Sequence, residues 1–274
     1  MRKKRVGLAL GGGAARGMAH IGVLEVLQRE GIPIDLISGS SAGAAIGAIY
    51  AQGKDFVEIK KLALDLSKHS LVPFLDLSLP RTGLLKGRKI QNLVASFIGG
   101  NIRFEDLRVP LACVAADIET GEEVVIDRGS VPEAVRASIT VPGIFTVVKW
   151  QGRYLVDGGL VDPVPADVVR RMGADFVIAV NVIPEVTDRA ERTGIKRKRK
   201  SGEPNLIHIL MQSVYIGTYM LVEHSLEEAD VVIEPQVAHI GAGDFHHLNE
   251  CIRQGELAAQ AAVPEIRRRL GIRH

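Results

Sequence analysis

The chain lacks most of the features that would place a protein in a special class. Its 274 residues include two cysteines, Cys113 and Cys251. These are too few and too far apart for a disulfide framework or a zinc site, so the fold must rest on its own core, in keeping with a reducing compartment. Long apolar runs are absent: the longest clean one, Ala42 to Ala51, is well short of the roughly 20 residues that span a bilayer. A charge excess is missing as well, since 34 basic against 32 acidic side chains leave +2, which removes the whole-chain electrostatic case for nucleic acid. Met1 to Arg5 has the basic character of a secretory n-region, but only Val6 to Leu10 follows before three glycines, less than the about 7 to 15 apolar residues of an h-region. There is no internal repeat. The expectation is one large domain, cytoplasmic, peripheral to the inner membrane face, with no nucleic-acid partner.

What is present alternates. Val6 to Leu10 is apolar without polar interruption, the pattern of a strand covered on both faces of a mainly parallel sheet. Glycines end it, and Met18, Ile21, Val23, Leu24 and Leu27 recur at helical spacing until Gly31 and Pro33 stop them. Leu36 to Ser38 reads as a second strand, and Ala42 to Ala51 as a helix of small residues able to lie close to a sheet. Further strands are expected at Leu111 to Ala116, Val124 to Ile126, Phe176 to Asn181 and Val231 to Ile233. Helices are expected around Phe56 to Leu66, Ile90 to Phe97, Ala166 to Met172 and Leu257 to Leu270. This order predicts an α/β fold, helices sandwiching a sheet. Between Pro184 and Pro204 the chain turns polar and carries Lys196, Arg197, Lys198, Arg199 and Lys200, read as an exposed excursion that could meet anionic headgroups. The following Leu206 to Val222, apolar on most sides, reads as a helix buried in the core or an oligomer interface; lining an acyl pocket or touching a bilayer are the alternatives.

Three loops carry candidate chemistry. Gly11, Gly12, Gly13, Ala14, Ala15, Arg16 and Gly17 stand between strand one and helix one, where backbone amides gather positive potential suited to an anion or oxyanion. A Rossmann site would want glycine where Ala14 stands and an acid at the end of strand two; a P-loop would want Gly-Lys-Ser/Thr. Neither is met, and a ligand-free tight turn remains the plain alternative. Gly39, Ser40, Ser41, Ala42 and Gly43 fit Gly-x-Ser-x-Gly between a strand and a helix, the setting of a nucleophile elbow that projects Ser41 above the sheet. Adjacent strands deliver such loops to one sheet edge, so amides of the first could serve a serine on the second.

The base is less obvious. The histidines are His20, His69, His208, His224, His239, His246, His247 and His274, and none occupies a recognisable catalytic setting. Asp157, where an apolar strand end gives way to Gly158 and Gly159, is the better partner; an ordinary Asp-Gly turn is its structural alternative. If it is the base it should be buried, because an ordinary carboxylate, pKa about 4, is a poor base for a serine hydroxyl.

With Ala137 to Phe145, similar to a Ser-x-x-x-Pro-x-x-Phe segment, these loops in this order and spacing resemble the patatin-like phospholipase family, its compact bacterial members in particular. The resemblance covers most of residues 5–235 and implies a three-layer α/β/α sandwich with a mainly parallel central sheet, residues 236–274 forming a helical extension packed on the same domain. It further implies a Ser/Asp dyad that hydrolyses acyl esters, typically of lipids, in phospholipase A or lysophospholipase fashion, without metal or cofactor. Ser41 would attack and Asp157 accept its proton. Gly11, Gly12, Gly13 and Ala14 would form the oxyanion hole, supported by Arg16, Gly17, Gly39, Gly43, Gly158 and Gly159. Ala14 departs from the glycine usual there, and Arg16 matches the customary basic residue. A soluble carboxylesterase or thioesterase with the same dyad, or a non-catalytic regulatory protein of the same fold, are the competing functions. Oligomeric state is not legible.

Overall fold

The computed structural model describes residues 4–68, 94–96, 98–185 and 206–272. Eight strands form one sheet: β1 (Val6–Leu10), β2 (Leu36–Ser40), β3 (Leu111–Asp117), β4 (Glu123–Ile126), β5 (Val148–Trp150), β6 (Arg153–Asp157), β7 (Phe176–Val180) and β8 (Val231–Ile233). They pair in the order β5-β6-β3-β2-β1-β7-β8, with β4 also on β3. β1, β2, β3, β7 and β8 run parallel, and β4, β5 and β6 are antiparallel to their neighbours. β1, β2, β3 and β7 are buried along their whole length, as strands covered on both faces must be.

Successive side chains on β1 serve opposite layers. Leu8 and Leu10 join the large core under α1 (Ala19–Arg29), α2 (Ala42–Ala51), α3 (Phe56–Lys68), α4 (Val131–Ser138) and the C-terminal helix. Ala9 faces the smaller cluster with Val164, Ala166, Val169 and Val177 beneath α5 (Ala166–Arg171). The mixed sheet with helices on both faces is the expected α/β sandwich. α6 (Leu206–Ser225) runs across the edge that carries the loops, and α7 (Leu248–Leu270) lies on α1. That last contact is very close: a Cβ on Gly22 would stand 2.0 Å from the Ile252 carbonyl, and one on Gly255 2.0 Å from the Ala19 carbonyl.

Three expectations need correction. α7 begins at Leu248, not Leu257, because the polar face of its first turns hides the amphipathic pattern while Leu248, Cys251, Ile252 and Gly255 are buried. α4 and β5 lie outside the elements expected from the sequence. α6 is not a buried core helix: Ile209, Leu210, Ile216 and Met220 are exposed, Met220 at 70%. The helical reading at 90–97 lies largely outside the described residues, as do His69, His274 and the basic run Lys196, Arg197, Lys198, Arg199 and Lys200. Cys113 and Cys251 are buried free thiols.

Candidate active site

Strand register brings the expected residues together. β4 occupies one side of β3 over Cys113 to Ala116. On the other side Ser40 pairs with Val114 and Asp157 with the next residue, Ala115. The parallel β2 and the antiparallel β6 therefore run toward each other along one edge of β3 and meet end to end, so the residues that terminate them are neighbours. Gly158 sits in the junction: a Cβ there would lie 2.3 Å from the Val114 carbonyl oxygen and 2.8 Å from Ser40 Oγ. Only glycine fits.

At that junction Ser41 Oγ donates to Asp157 Oδ2 at 2.6 Å. Ser41 caps α2 with φ 49° and ψ −117°, a conformation that non-glycine residues adopt only when the surroundings impose it. The surroundings are backbone. A Cβ on Gly43 would come within 2.0 Å of the Leu10 carbonyl oxygen, and one on Gly39 within 2.6 Å of the Ala44 amide nitrogen, so α2 can start in this tight turn only with glycine at both places.

Asp157 is 7% exposed. Its Oδ1 accepts from Gly159 N at 2.8 Å. Burial raises its pKa from 3.8 to about 6, opposed by the hydrogen bonds from Ser41 and Gly159. Ser138 and Thr140, at the end of α4, tie both partners down: Ser138 Oγ accepts from Ser41 N at 2.8 Å, and the Thr140 carbonyl accepts from Asp157 N at 2.8 Å. Arg136, whose guanidinium burial depresses to about 10, donates to Thr140 Oγ1 and to the Thr146 carbonyl, fixing the same turn. The Ser-x-x-x-Pro-x-x-Phe segment thus ties Ser41 to Asp157.

The first glycine loop stands beside them, a Cβ on Gly12 being 3.4 Å from Ser41 Cβ. Its amides are not equivalent. Gly11 N donates to the Val180 carbonyl at 3.0 Å and Gly12 N to the Pro163 carbonyl at 2.9 Å, so neither is available to an oxyanion and the expected donor set narrows. Gly13 N and Ala14 N carry no hydrogen bond within the described residues. Both residues have positive φ, 155° and 51°. Arg16, buried, donates Nε to the Ile240 carbonyl at 2.7 Å and holds the loop against 240–242, where Ala15 N also bonds the Ala242 carbonyl. A Cβ on Gly17 would stand 2.4 Å from Ala42 Cβ, so the loop packs directly on the first residue of α2.

Among the described residues His20 is the side chain that motif reading passed over. It is fully buried in α1, and its Nε2 lies 2.8 Å from the Gly11 carbonyl oxygen. His239 and His247 share Glu250 at the surface, and His224 pairs with Glu227. For a metal, Glu123, Asp162 and Asp167 bring carboxylate oxygens within 4.8 Å of one another. Arg171 ion-pairs with both Glu123 and Asp167 and already supplies positive charge there. An open cavity of about 600 Å³ lined by Val182, Ile183, Tyr219, Met220 and Val222 among others touches the glycine loop through Val182, whose Cγ2 would be 2.7 Å from a Cβ on Gly13. Ser41 and Asp157 are not in its lining.

Comparison with known proteins bears on the family and the fold. Residues 8–170 match the patatin-like phospholipase family. An uncharacterized NTE family protein of Mycobacterium tuberculosis is 39% identical over 178 residues, 65% of this chain and 49% of the relative. Another from the same organism is 32% identical over 273 residues, 95% of this chain and 46% of the relative. Patatin-like phospholipase domain-containing protein 6 of Mus musculus is 38% identical over 182 residues, 65% of this chain and 13% of the relative. The chain therefore spans about half the length of the mycobacterial relatives. VipD from Legionella pneumophila has a similar fold, with TM-score 0.60 at 14% identity, covering 94% of this chain and 67% of that one.

Proposed function

Because the chain belongs to the patatin-like phospholipase family, we propose that it is a serine acyl hydrolase in which Ser41 and Asp157 form a catalytic dyad acting on lipid acyl esters. The observation that carries the reading is the 2.6 Å hydrogen bond from Ser41 Oγ to a buried Asp157, made by a serine held in a strained elbow.

In this mechanism Ser41 Oγ attacks the ester carbonyl carbon while its proton passes to Asp157 Oδ2, and the carbonyl oxygen becomes an oxyanion. Gly13 N and Ala14 N, the members of the expected hole left without a protein acceptor within the described residues, donate to that oxygen. Asp157 then protonates the departing alcohol, leaving an acyl-Ser41 ester. Water, deprotonated by the same carboxylate, releases the acid and restores the serine. A carboxyl raised to about 6 is a stronger base than one at 4 and is still mostly ionised at neutral pH.

The exposed apolar side chains of α6 favour a lipid over a small polar ester. Leu210 lies 3.9 Å from a Cβ position on Gly143, and Thr218 of the same helix reaches within 3.6 Å of one on Gly159. Ile209, Leu210, Ile216 and Met220 are thus presented to solvent beside the site, where an acyl chain or a lipid surface could cover them. A phospholipase A or lysophospholipase activity follows, with Lys196, Arg197, Lys198, Arg199 and Lys200 attracting an anionic membrane surface.

Screening phospholipids, lysophospholipids and soluble acyl esters against the wild type and Ser41→Ala tests this reading. Hydrolysis of lipid esters by the wild type alone is expected; equal activity of the two proteins would remove the dyad, and turnover confined to soluble esters would shift the function to a carboxylesterase. Flotation with anionic liposomes at low salt checks the membrane contact, which absence of binding would eliminate.

A further inference from the structure

We infer that His20 is a positioning residue for the oxyanion loop, its imidazole fixing the Gly11–Gly12 peptide so that the next two amides face the reacting carbonyl; this rests on the dyad reading above.

The argument begins with one peptide plane. In a trans peptide the carbonyl and the following N–H point in opposite directions. Here the Gly11 carbonyl oxygen is held by His20 Nε2 at 2.8 Å, while Gly12 N on the other end of the same plane donates to the Pro163 carbonyl at 2.9 Å. The plane is clamped from both sides, which forbids the peptide flip that a glycine pair otherwise allows. Everything downstream takes its direction from that plane. Gly13, at φ 155°, and Ala14, at φ 51°, then leave two successive amides without protein acceptors within the described residues.

The chemistry of the ring supports the assignment. A carbonyl oxygen only accepts, so Nε2 carries the hydrogen and the neutral ring has its lone pair on Nδ1. That nitrogen is buried and has no hydrogen-bond partner. Burial lowers the ring's pKa to about 4, so the donor tautomer stays neutral at physiological pH. If the position served packing alone, an apolar side chain would fill it without an unsatisfied acceptor. The one bond that Nε2 makes is what histidine adds at that cost. It does not act as the base: Ser41 Oγ donates to Asp157 and not to His20, and the Nδ1 lone pair is buried without a partner.

The test compares His20→Gln, whose terminal amide can place a donor near the Nε2 position, with His20→Met, of similar length and without one, in the full chain. Readouts are the rate of Ser41 labelling by a fluorophosphonate, kcat and KM on a p-nitrophenyl acyl ester, and thermal melting. For His20→Met the expectation is a fall in labelling rate and kcat on the order of 10- to 100-fold, below the 10²–10³ that losing a whole oxyanion donor costs, with KM within about twofold. His20→Gln should recover most of the lost rate. Equal rates for wild type and His20→Met, equal losses in both variants, or unfolding of both would each overturn the inference. A wild type that takes no label overturns the dyad and this inference together, whereas a labelled wild type with an unaffected His20→Met overturns this inference alone.

Discussion

The two glycine-rich loops at the sheet edge differ in what holds them. The serine elbow is held by contact: Gly39 and Gly43 lie where any Cβ would meet the main chain at 2.6 Å or less, and Ser41 is forced to positive φ between them. The loop after β1 is held by hydrogen bonds to distant segments, from Gly11 to Val180, Gly12 to Pro163, Ala15 to Ala242, Arg16 to Ile240 and His20 back to Gly11. Contact with backbone cannot yield, since the obstacles are the main chain of β1 and of the first turn of α2. Hydrogen bonds can be removed singly while the core stays packed. The position of Ser41 is therefore inseparable from folding, whereas the loop after β1 can be loosened in a folded protein.

The comparison breaks most sharply at the elbow. Ser41→Ala should keep the fold and reduce turnover on the order of 10⁶, the scale of removing a serine nucleophile, as measured by ester hydrolysis at saturating substrate. Gly43→Ala should instead destabilise by more than the about 1–3 kcal/mol usual for overpacking, because the added methyl meets the Leu10 carbonyl; loss of the cooperative melt at 37 °C is the check. Gly13→Ala, in the other loop, meets Val182 Cγ2 at 2.7 Å and is strained at φ 155°, but no main-chain atom stands closer than 3.5 Å, so the loop can shift. It should stay folded with a lowered melting temperature and, with its amide displaced, lose turnover on the order of 10²–10³. If both glycine variants unfold, or neither does, the distinction between contact and hydrogen bonding fails.

Asp157 sharpens the same point through pH. The group must be ionised to accept a proton, so kcat should rise with pH and level off above about 6, falling about tenfold per unit on the acid side; a flat profile from pH 4 to 8 contradicts the assignment. The stability consequence has the opposite sign. A carboxyl whose pKa is higher folded than unfolded contributes stability that is fully present below its ordinary 3.8 and is lost as pH rises through about 6. Above that, ionised Asp157 costs on the order of 2–3 kcal/mol. Asp157→Asn, whose amide oxygen can still accept from Gly159 N and whose NH2 can donate to Ser41 Oγ in place of the reverse bond, should be inactive and more resistant to urea than wild type at pH 8, with the gain disappearing near pH 4.

Much of this arrangement was legible beforehand because it is local. Strand, glycine turn and helix are written in residues 6–27 and 36–51, and Asp157 announces itself by two glycines after an apolar strand. The pairing of Ser41 with a buried Asp157 is expected from the resemblance to the patatin-like family and not from either segment alone. What stayed hidden depends on partners far along the chain. Nothing in Gly11 and Gly12 signals that Val180 and Pro163 take their amides, and nothing near His20 signals that its ring is turned onto Gly11. α4 is hard to read from the sequence because Pro132 and Arg136 obscure an eight-residue helix, although its Ser138 accepts from Ser41 N. The exposure of α6 is set by which faces other elements leave uncovered, which hydropathy along one segment does not record.

The most direct measurement is mass spectrometry of the protein after treatment with a fluorophosphonate. A single adduct on the peptide containing Ser41, absent from Ser41→Ala and strongly slowed in Asp157→Asn, is the predicted result. An adduct on another residue, or labelling of Ser41 that is indifferent to Asp157→Asn, would contradict the dyad.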